Sequence, residues 1–370
     1  MVRSFVEKEI MPVAHDLEHD DVYPEEIVKQ MKELGLFGLA IPEQYGGGGV
    51  DYRTYALVIE EICRGWMSIA GVINTHFITA YMIEQFGTDE QKQRFLPKMA
   101  TGEHHAAYSM SEPNTGSDVQ AIRTRAAKDG DDYVINGTKM WVTNGERSTF
   151  VAVLTKTDPE ATPPYRGMSC FLAEKGPGLS VSKKIEKLGY KGVETTELVF
   201  DGYRCPGKNL LGGKEGEGFK HMMSGIEVGR INVAARAVGV ARRAFEEAIR
   251  YAQERHTFGK PIAQHQAIQF YLADMATKIE AAHLLTMSAA EKKDRGERVD
   301  LEAGMAKLFA SEIAFQCATD AMRVFGGYGF SKEYPVEQLY RDAPLMIIGE
   351  GTSEIQRLVI ARRLLEQYAI

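Results

Sequence analysis

A single acidic residue near the C-terminus is the strongest candidate for chemistry in this sequence. Glu350 lies between two glycines, after the apolar run 345–348 and before Ser353-x-x-Gln356, which we interpret as a capping box that opens a helix. The glycines allow a sharp turn and the close approach of a planar ligand, and poor hydration would raise the pKa of the carboxyl group. The motif predicts either a general base or an acid that only complements the helix dipole.

Four other motifs carry polar or aromatic groups that suit a ligand. They are Tyr108-Ser-Met-Ser-Glu-Pro-Asn-Thr-Gly-Ser-Asp118, Trp141-Val-Thr143, Arg255-His-Thr-Phe-Gly259 and Phe325-Gly-Gly-Tyr-Gly329. Hydroxyls and turn N–H groups suit a polar ring, an arginine suits a pyrophosphate, and paired glycines let a backbone approach closely. Each has an ordinary structural alternative: a turn-rich linker, a core aromatic residue, a solvated helix end and a helix C-cap.

Composition excludes several classes of protein. The chain has 370 residues, of which 44% are hydrophobic and 26% charged, as is ordinary for a soluble globular protein of one to three domains. A net charge of −7 argues against a nucleic-acid surface. No apolar run is long enough to span a bilayer, and no signal peptide is recognisable, so we expect a cytoplasmic protein or one of the mitochondrial matrix. The four cysteines are scattered singly, which indicates reduced structural thiols.

The elements that must position these motifs fall into three parts. Residues 1–106 show helical periodicity, with Thr88 to Gln91 as a capping box, and predict an α-helical domain. Residues 107–213 contain short β-rich runs separated by turns and predict a small β-barrel, with Asn136-Gly137 as the turn of a hairpin. Residues 214–370 return to long amphipathic stretches and predict a four-helix bundle.

No G-x-G-x-x-G motif follows a strand, so a Rossmann crevice is not expected and a redox cofactor would lie between the parts. His15 and His19 are spaced for a metal on one helix face, but the acidic residues around them indicate a solvated face. We therefore expect no metal site.

The order and spacing of these motifs over nearly the whole chain resemble the acyl-CoA dehydrogenase family. The resemblance is to the short-, medium- or branched-chain type, in which the base is the glutamate of a C-terminal Glu-Gly-Thr motif. It implies an α-helical domain, a β-barrel and a four-helix bundle that enclose FAD, in a homotetramer built as a dimer of dimers. It also implies a role in the β-oxidation of fatty acids or in amino-acid catabolism.

The resemblance implies two groups of FAD-binding residues. The first would contact the flavin and its ribityl chain, with Ser111 at the pyrimidine end, Trp141 on the ring system and Thr143 near N5; it comprises Tyr108, Met110, Ser111, Gly116, Ser117, Trp141 and Thr143. The second would hold the pyrophosphate and adenosine across a subunit interface and comprises Arg255, Thr257, Phe258, Gln266, Arg323, Gly326 and Gly327. Thr352 and Glu354 match a further FAD-binding turn.

The resemblance assigns the chemistry to Glu350. This residue would remove the α-proton of an acyl-CoA thioester while the β-hydrogen leaves as hydride to flavin N5, which yields a trans-2-enoyl-CoA. Electrons would then pass to an electron-transfer flavoprotein. The substrate would contact Ser117, Glu227, Arg230, Gly349 and Gly351. Without the resemblance, Glu227 and Arg230 are an ordinary i,i+3 surface pair.

Four departures from the family pattern bear on substrate specificity or on cofactor binding. Gly349 replaces the usual aromatic residue before the base, so we expect room for bulkier, branched or cyclic acyl chains. Gly229 occupies the position where isovaleryl and long-chain members carry their base, which leaves Glu350 as the candidate. Ile69 occupies the position of the arginine that binds the distal carboxylate in glutaryl-specific members, which argues against a dicarboxylyl substrate. Arg323 stands where glutamine is common and adds charge at the pyrophosphate.

Two alternatives remain at this point. One is an acyl-CoA oxidase or a related flavin oxidase on the same scaffold, because the sequence does not fix reactivity with oxygen. The other is a non-catalytic flavoprotein that serves in assembly or binds nucleic acid, against which the intact base and the acidic net charge count.

Overall fold

The computed structural model describes residues 1–370. Its N-terminal part is helical, as expected. A short helix and a π-helical turn lead into the second helix, and four more helices follow before the first strand. The elements are α1 (Val2–Phe5), the π-turn Val6–Ile10, α2 (Met11–His19), α3 (Glu25–Glu33), α4 (Tyr52–Gly65), α5 (Met67–Phe86) and α6 (Asp89–Ala100).

Helix α5 lies at the centre of this part of the molecule. Sixteen of its 20 residues are buried, so it is apolar on nearly every side and must be enclosed by other elements. Its neighbour α6 begins with the predicted capping box, in which Thr88 and Gln91 bond each other's backbone N–H groups. Because α5 is enclosed, its few polar side chains face other parts of the protein rather than solvent.

The middle part is a sheet of seven strands. They are β1 (Ala106–Ser109), β2 (Arg125–Asp129), β3 (Asp132–Thr143), β4 (Phe150–Lys156), β5 (Met168–Glu174), β6 (Leu179–Lys184) and β7 (Thr195–Pro206). The order is β1-β4-β2-β3-β7-β6, with β5 also paired to β4. Alternate residues of β4 enter two separate cores: Val151 and Val153 pack inside the sheet, while Phe150 and Ala152 pack against the helices. This double burial explains why β4 is a continuous apolar run.

The predicted hairpin at Asn136-Gly137 is wrong. Strand β3 continues through these residues, with a register shift at Gly137, and pairs with β7 over its length. The two-residue turn lies earlier, at Gly130 and Asp131, between the paired residues Asp129 and Asp132. The long ladder to β7 outweighs the local turn preference of the Asn-Gly pair.

The C-terminal part is the expected bundle, with one helix more than predicted. Its three longest helices are followed by two shorter ones that flank the turn containing Glu350. They are α7 (Gly218–Glu254), α8 (Gln266–Asp294), α9 (Asp300–Phe325), α10 (Val336–Ile348) and α11 (Ser353–Gln367). Two short strands, β8 (His256–Thr257) and β9 (Lys260–Pro261), pair between α7 and α8. None of the helices is both long and apolar enough to cross a membrane.

The predicted capping box at Ser353 and Gln356 is also wrong. The N-cap of α11 is Thr352, whose hydroxyl accepts from the N–H of Ile355. Gln356 instead turns back and donates from Nε2 to the carbonyl of Gly351 at 3.0 Å. The side chain therefore holds the preceding turn rather than the helix end.

Candidate active site

Glu350 lies in the tight turn between α10 and α11. Its φ is +56°, a left-handed conformation that is uncommon for any residue other than glycine. Helix α10 ends one residue before Gly349, and Thr352 caps the start of α11. The two helix ends therefore fix the strained residue from both sides, a pattern that is concentrated at functional sites.

The carboxylate of Glu350 points into the protein, between α5 and α7. Asn74 on α5 donates from Nδ2 to Oε1, while Oε2 is buried and has no hydrogen-bond donor. Gly229 on α7 lies directly beneath Oε2: a Cβ atom at this position would be 1.8 Å from it. A side chain at 229 and the present position of the carboxylate are therefore mutually exclusive.

The environment adjusts the acidity of Glu350 in two opposing ways. Burial raises the pKa of the carboxyl group above its usual value, while the bond from Asn74 and the charges of Arg236, Lys307 and Arg230 lower it. The net direction is upward. A base with a raised pKa that can still ionise is suited to taking a proton from a weak carbon acid.

Lys307 on α9 was not singled out from the sequence, yet it supports the turn directly. The residue is 0% exposed, and its Nζ donates to the carbonyls of Gly351 at 2.8 Å and Ile347 at 3.3 Å. Burial lowers the pKa of Lys307 to about 8, and the charge of Glu350 acts against that shift. A lone lysine within the apolar stretch Met305–Ala310 is the signal that would have identified it.

Arg230 and Glu227 lie on α7 near Glu350, but they do not form the i,i+3 ion pair of the structural alternative. Arg230 is 8% exposed, and its Nε is buried without an acceptor. Burial raises the pKa of the half-buried Glu227, whereas the charge of Lys293 lowers it. A buried Nε–H without an acceptor suits a site at which an anionic or polar ligand supplies one.

The segment 108–118 begins in the last two residues of β1, continues as a loop and lies beside this cleft. Tyr108 donates from its hydroxyl to the carbonyl of Met222 on α7 at 2.8 Å. Glu112, within the loop, is 7% exposed and pairs with Lys139, which is 0% exposed, at 3.0 Å. The same lysine donates to the carbonyl of Met110 at 2.9 Å. This buried ion pair fixes the loop, while Ser111 stays half-buried and Gly116 and Ser117 stay exposed.

Trp141 and Thr143 lie at the end of β3, where the strand changes register. Trp141 has a φ of +64°, and 59% of its surface is exposed, so its ring stands out from the sheet instead of joining the core. The adjacent Asn144 is buried and donates to the carbonyls of Gly71 and Val72 on α5 at 3.2 and 3.0 Å. The end of β3 is thus fastened to the helix that also carries Asn74.

The second predicted group lies at one end of the bundle. Arg255 is exposed, with its guanidinium 5.8 Å from the ring centre of Tyr328 in the loop after α9. Arg323 is also exposed and lies over Tyr271 of α8, 4.7 Å from the ring centre. Phe258 is 95% exposed with a φ of +50°. Gln266 begins α8, Thr257 bonds His265, and Gly326 and Gly327 are exposed just after α9.

These residues fit a flavin dinucleotide. The exposed ring of Trp141 and the hydroxyls of the loop 108–118 suit a polar ring system. The exposed arginines at the bundle end suit a pyrophosphate. Arg255 forms no ion pair, and the contact of Arg323 with Asp320 is long, at 3.6 Å.

Comparison with known proteins identifies the class. Three sequence profiles match consecutive parts of the chain: the N-terminal domain of acyl-CoA dehydrogenase at residues 1–103, the middle domain at 107–203 and the C-terminal domain at 216–365. The domain order and fold are thus those of the acyl-CoA dehydrogenases, a class of FAD-dependent oxidoreductases.

Individual relatives agree over the full length of the chain. An acyl-CoA dehydrogenase of Bacillus subtilis is 45% identical, with 99% of this chain and 96% of the relative covered. A (2S)-methylsuccinyl-CoA dehydrogenase of Cereibacter sphaeroides is 44% identical, with 98% and 68% covered. The solved butyryl-CoA dehydrogenase of Megasphaera elsdenii is 38% identical, with a TM-score of 0.95 and coverage of 98% and 96%. The chain belongs to the acyl-CoA dehydrogenase family, whose members are flavoproteins with FAD as cofactor.

Proposed function

We propose that this protein dehydrogenates an acyl-CoA thioester between Cα and Cβ to give a trans-2-enoyl-CoA, with Glu350 as the base. The observation that carries the proposal is the buried carboxylate itself, which presents an Oε2 without a hydrogen-bond donor between α5 and α7. Its pKa is raised, as suits a base that works near neutral pH. No side chain at 229 competes for the role, because Gly229 lies against the carboxylate.

The turn around Glu350 also supplies a means to acidify the substrate. The backbone N–H of Glu350 donates to no acceptor within the protein. A thioester oxygen that accepts from this N–H would gain negative charge as the α-proton leaves, and a fixed donor stabilises that charge. Lys307 and Gln356 hold the neighbouring carbonyls, so the donor is positioned before the substrate arrives.

Bound FAD supplies the acceptor for the β-hydrogen and its electron pair. Tyr108, Met110, Ser111, Gly116, Ser117, Trp141 and Thr143 would contact the flavin side, with Thr352 and Glu354 at the adjoining turn. Arg255, Thr257, Phe258, Gln266, Arg323, Gly326 and Gly327 would hold the pyrophosphate and adenosine of a neighbouring subunit. Six of these seven residues are exposed in the single chain, which fits a homotetramer in which each site is completed by another copy.

For the thioester we propose contacts from Ser117, Glu227, Arg230, Gly349 and Gly351. Arg230 has a buried Nε that a CoA or pantetheine oxygen would satisfy. A Cβ atom on Gly349 would meet only atoms of Leu345, in the last turn of the helix that ends at Ile348, so the space beyond it is open. This space is compatible with a branched acyl chain, and the relative from Cereibacter sphaeroides is named for a branched substrate. An electron-transfer flavoprotein would reoxidise the cofactor.

Anaerobic titration of the purified holoenzyme tests the proposal. Straight-chain, branched, cyclic and dicarboxylyl CoA thioesters are added in turn while the oxidised flavin band is followed. Bleaching by one class with formation of its 2-enoyl product supports the proposal. A protein that retains FAD and is bleached by no thioester would contradict it and favour the non-catalytic alternative.

The oxidase alternative needs a separate measurement. The substrate-reduced enzyme is mixed with air-saturated buffer in a stopped-flow instrument. Slow reoxidation supports a dehydrogenase that passes its electrons to a protein acceptor. Reoxidation within the time of a turnover, with formation of hydrogen peroxide, would make the protein an acyl-CoA oxidase.

A further inference from the structure

The buried ion pair of Lys139 and Glu112 takes no part in the chemistry proposed for Glu350. Lys139 is 0% exposed and Glu112 is 7% exposed, and Nζ of the lysine lies 3.0 Å from Oε1 of the glutamate. A buried ion pair commonly adds little net stability, because both charges lose their hydration. Its presence between a loop and a strand therefore needs an explanation other than stability.

On the strand side, Lys139 stands next to an irregularity at the end of β3. The register with β7 is regular up to Lys139, shifts after it and resumes at Val142, so Met140 and Trp141 lie opposite a single residue of β7. This arrangement is a β-bulge, and within it Trp141 has a φ of +64°. A left-handed tryptophan costs free energy and persists only where neighbouring contacts hold it.

The loop after β1 supplies contacts that hold this bulge. The N–H of Met140 donates to the carbonyl of Ser111 at 2.9 Å, and Nζ of Lys139 donates to the carbonyl of Met110 at 2.9 Å. The ion pair adds Glu112 to this set. Three consecutive residues of the loop are thus bonded to two consecutive residues of β3.

Glu112 is also fixed on its other sides. Its Oε2 accepts from the N–H of Arg123 at 2.7 Å, and its Oε1 accepts from the N–H of Thr124 at 2.9 Å. Its backbone exchanges two hydrogen bonds with Thr115, which closes a turn within the loop. The carboxylate therefore joins the loop to the segment that follows it, and Lys139 connects both to β3.

This network joins the two sides of the proposed flavin site, since the loop carries Ser111 and the bulge leads to Trp141 and Thr143. We propose that Lys139 and Glu112 are positioning residues for the cofactor. They hold the loop at a fixed distance from the end of β3, and so set how tightly FAD is bound and how readily it is reduced. The inference rests on the flavin contacts of the proposed function. An ion pair that only stabilises the sheet is the competing explanation.

Variants of the holoenzyme test the inference against a matched control. They are Lys139→Met, which keeps the length of the side chain without its charge, and the double variant Lys139→Met with Glu112→Gln, which leaves no unpaired charge. The control is Tyr203→Phe. It removes a hydrogen bond of the same sheet, from the hydroxyl to the carbonyl of Glu174 at 2.7 Å, which involves neither the loop nor the end of β3.

Three properties are measured for each protein: the rate of FAD release after dilution, the midpoint potential of the bound flavin, and the Tm. We expect both Lys139 variants to release FAD at least about tenfold faster than the wild type, because the contacts that meet the flavin are no longer held in place. Their midpoint potential should become more negative, since fixed hydrogen bonds to the ring favour the reduced flavin.

The Tm separates positioning from stability. The double variant should have a Tm close to that of Tyr203→Phe, because removal of both charges also removes the cost of their burial. Tyr203→Phe should keep the wild-type release rate and the wild-type potential.

Two results would overturn the inference. An unchanged release rate or an unchanged potential in the double variant would show that the ion pair does not position the flavin. A double variant that does not fold, or that changes no more than Tyr203→Phe, would assign the pair to the stability of the sheet. None of these measurements involves a thioester, so the positioning role can fail while the proposed dehydrogenation stands, and the titration with thioesters tests that reaction separately.

Discussion

The ionisation of Glu350, the proposed catalytic base, depends on a few contributions that oppose one another. Burial disfavours the ionised form of Glu350, and the left-handed backbone adds strain. Asn74 and the charge of Arg236 favour the ionised form. The result is a base that is poorly hydrated yet able to ionise, and each of these contributions can be removed by a single substitution.

Glu350→Gln should abolish turnover without loss of the fold. The amide keeps an acceptor for Asn74 but cannot take a proton, so we expect kcat to fall by at least about a hundredfold while FAD and acyl-CoA binding persist. Flavin reduction under single-turnover conditions measures the loss. In the wild type, the rate should fall as the pH is lowered through the raised pKa of Glu350. Undiminished reduction in the variant would place the base elsewhere.

The same substitution should raise stability at neutral pH. The folded pKa of Glu350 lies above its unfolded value, so the folded state is favoured by this group below the unfolded pKa, and the advantage is lost as the pH rises through the folded pKa. A neutral glutamine does not ionise, so it avoids the loss of folding free energy that Glu350 causes at high pH. We therefore expect the Tm of Glu350→Gln to exceed that of the wild type at pH 8, with a smaller difference near pH 5. A lower Tm at pH 8 would contradict the stated cause of the pKa shift.

Gly229→Ala tests whether the carboxylate needs the space above α7. The new methyl group would lie 1.8 Å from Oε2, so the side chain of Glu350 must move. We expect kcat to fall by at least about tenfold, since small displacements of a catalytic group are costly, with FAD content unchanged. Gly304→Ala is the control, because its Cβ atom would meet nothing closer than 3.4 Å. Equal activity of Gly229→Ala and Gly304→Ala would show that the carboxylate of Glu350 does not need the space beside residue 229.

At the scale of secondary-structure elements, the turn between α10 and α11 is held by side chains of two helices, α9 and α11. Thr352 caps α11, Gln356 of the same helix reaches back to the turn, and Lys307 reaches it from α9. Asn144 meanwhile fastens the end of β3 to α5. The end of β3, which we propose to face the flavin, and Glu350, the proposed base, are thus both hydrogen-bonded to the central helix α5, which carries Asn74.

Lys307→Met should disturb this turn. Loss of the ammonium group removes a donor from the carbonyl of Ile347 and leaves the carbonyl of Gly351 with Gln356 alone, so we expect a loss of about 1–3 kcal/mol in the free energy of unfolding. Because the N–H of Glu350 is in the same turn, kcat should fall more than KM rises. Lys332→Met, at an exposed position, should leave both unchanged. A loss of stability with an unchanged kcat would show that Lys307 acts on the fold alone.

The elements also show what the sequence can and cannot predict. Helical periodicity, the capping box at Thr88 and the short strands β4 to β7 were predictable because local patterns determine them. The prediction of a turn at Asn136-Gly137 was wrong because the pairing of β3 with β7, more than 50 residues away, outweighs the local turn preference. Asn74, Lys307 and Arg236 were missed because their partners are distant in sequence, although an isolated charge in an apolar helical stretch was a usable signal for the last two.

At the scale of the whole molecule, the three parts meet at the cleft beside Glu350, and the end of the bundle exposes aromatic side chains. The cleft is bounded by α5, α7, the loop after β1 and the turn at Glu350. The exposed surface lies at the bundle end, where Phe258 is 95% and Phe330 is 87% exposed. Exposed aromatic side chains grouped with arginines are typical of surfaces that another chain or ligand covers. The domain boundaries at residues 106 and 213 stay predictions.

Arg255→Ala tests whether this surface binds FAD between subunits. If Arg255 contacts the pyrophosphate across an interface, its loss should weaken FAD binding by about tenfold to a hundredfold and loosen the tetramer at the same time. Gel filtration with light scattering gives the mass, and the ratio of flavin to protein absorbance gives the FAD content. Arg250→Ala is the control, one turn earlier on α7 with its side chain 64% exposed.

The two readouts separate the possible roles of Arg255. Suppose that Arg255→Ala loses FAD and that added excess FAD restores both the bound cofactor and the tetramer. The cofactor itself would then join the subunits. Loss of the tetramer with full retention of FAD would assign Arg255 to the protein interface alone. Unchanged mass and unchanged flavin content would remove the bundle end from the cofactor site, and the exposed aromatic surface would then need a different partner.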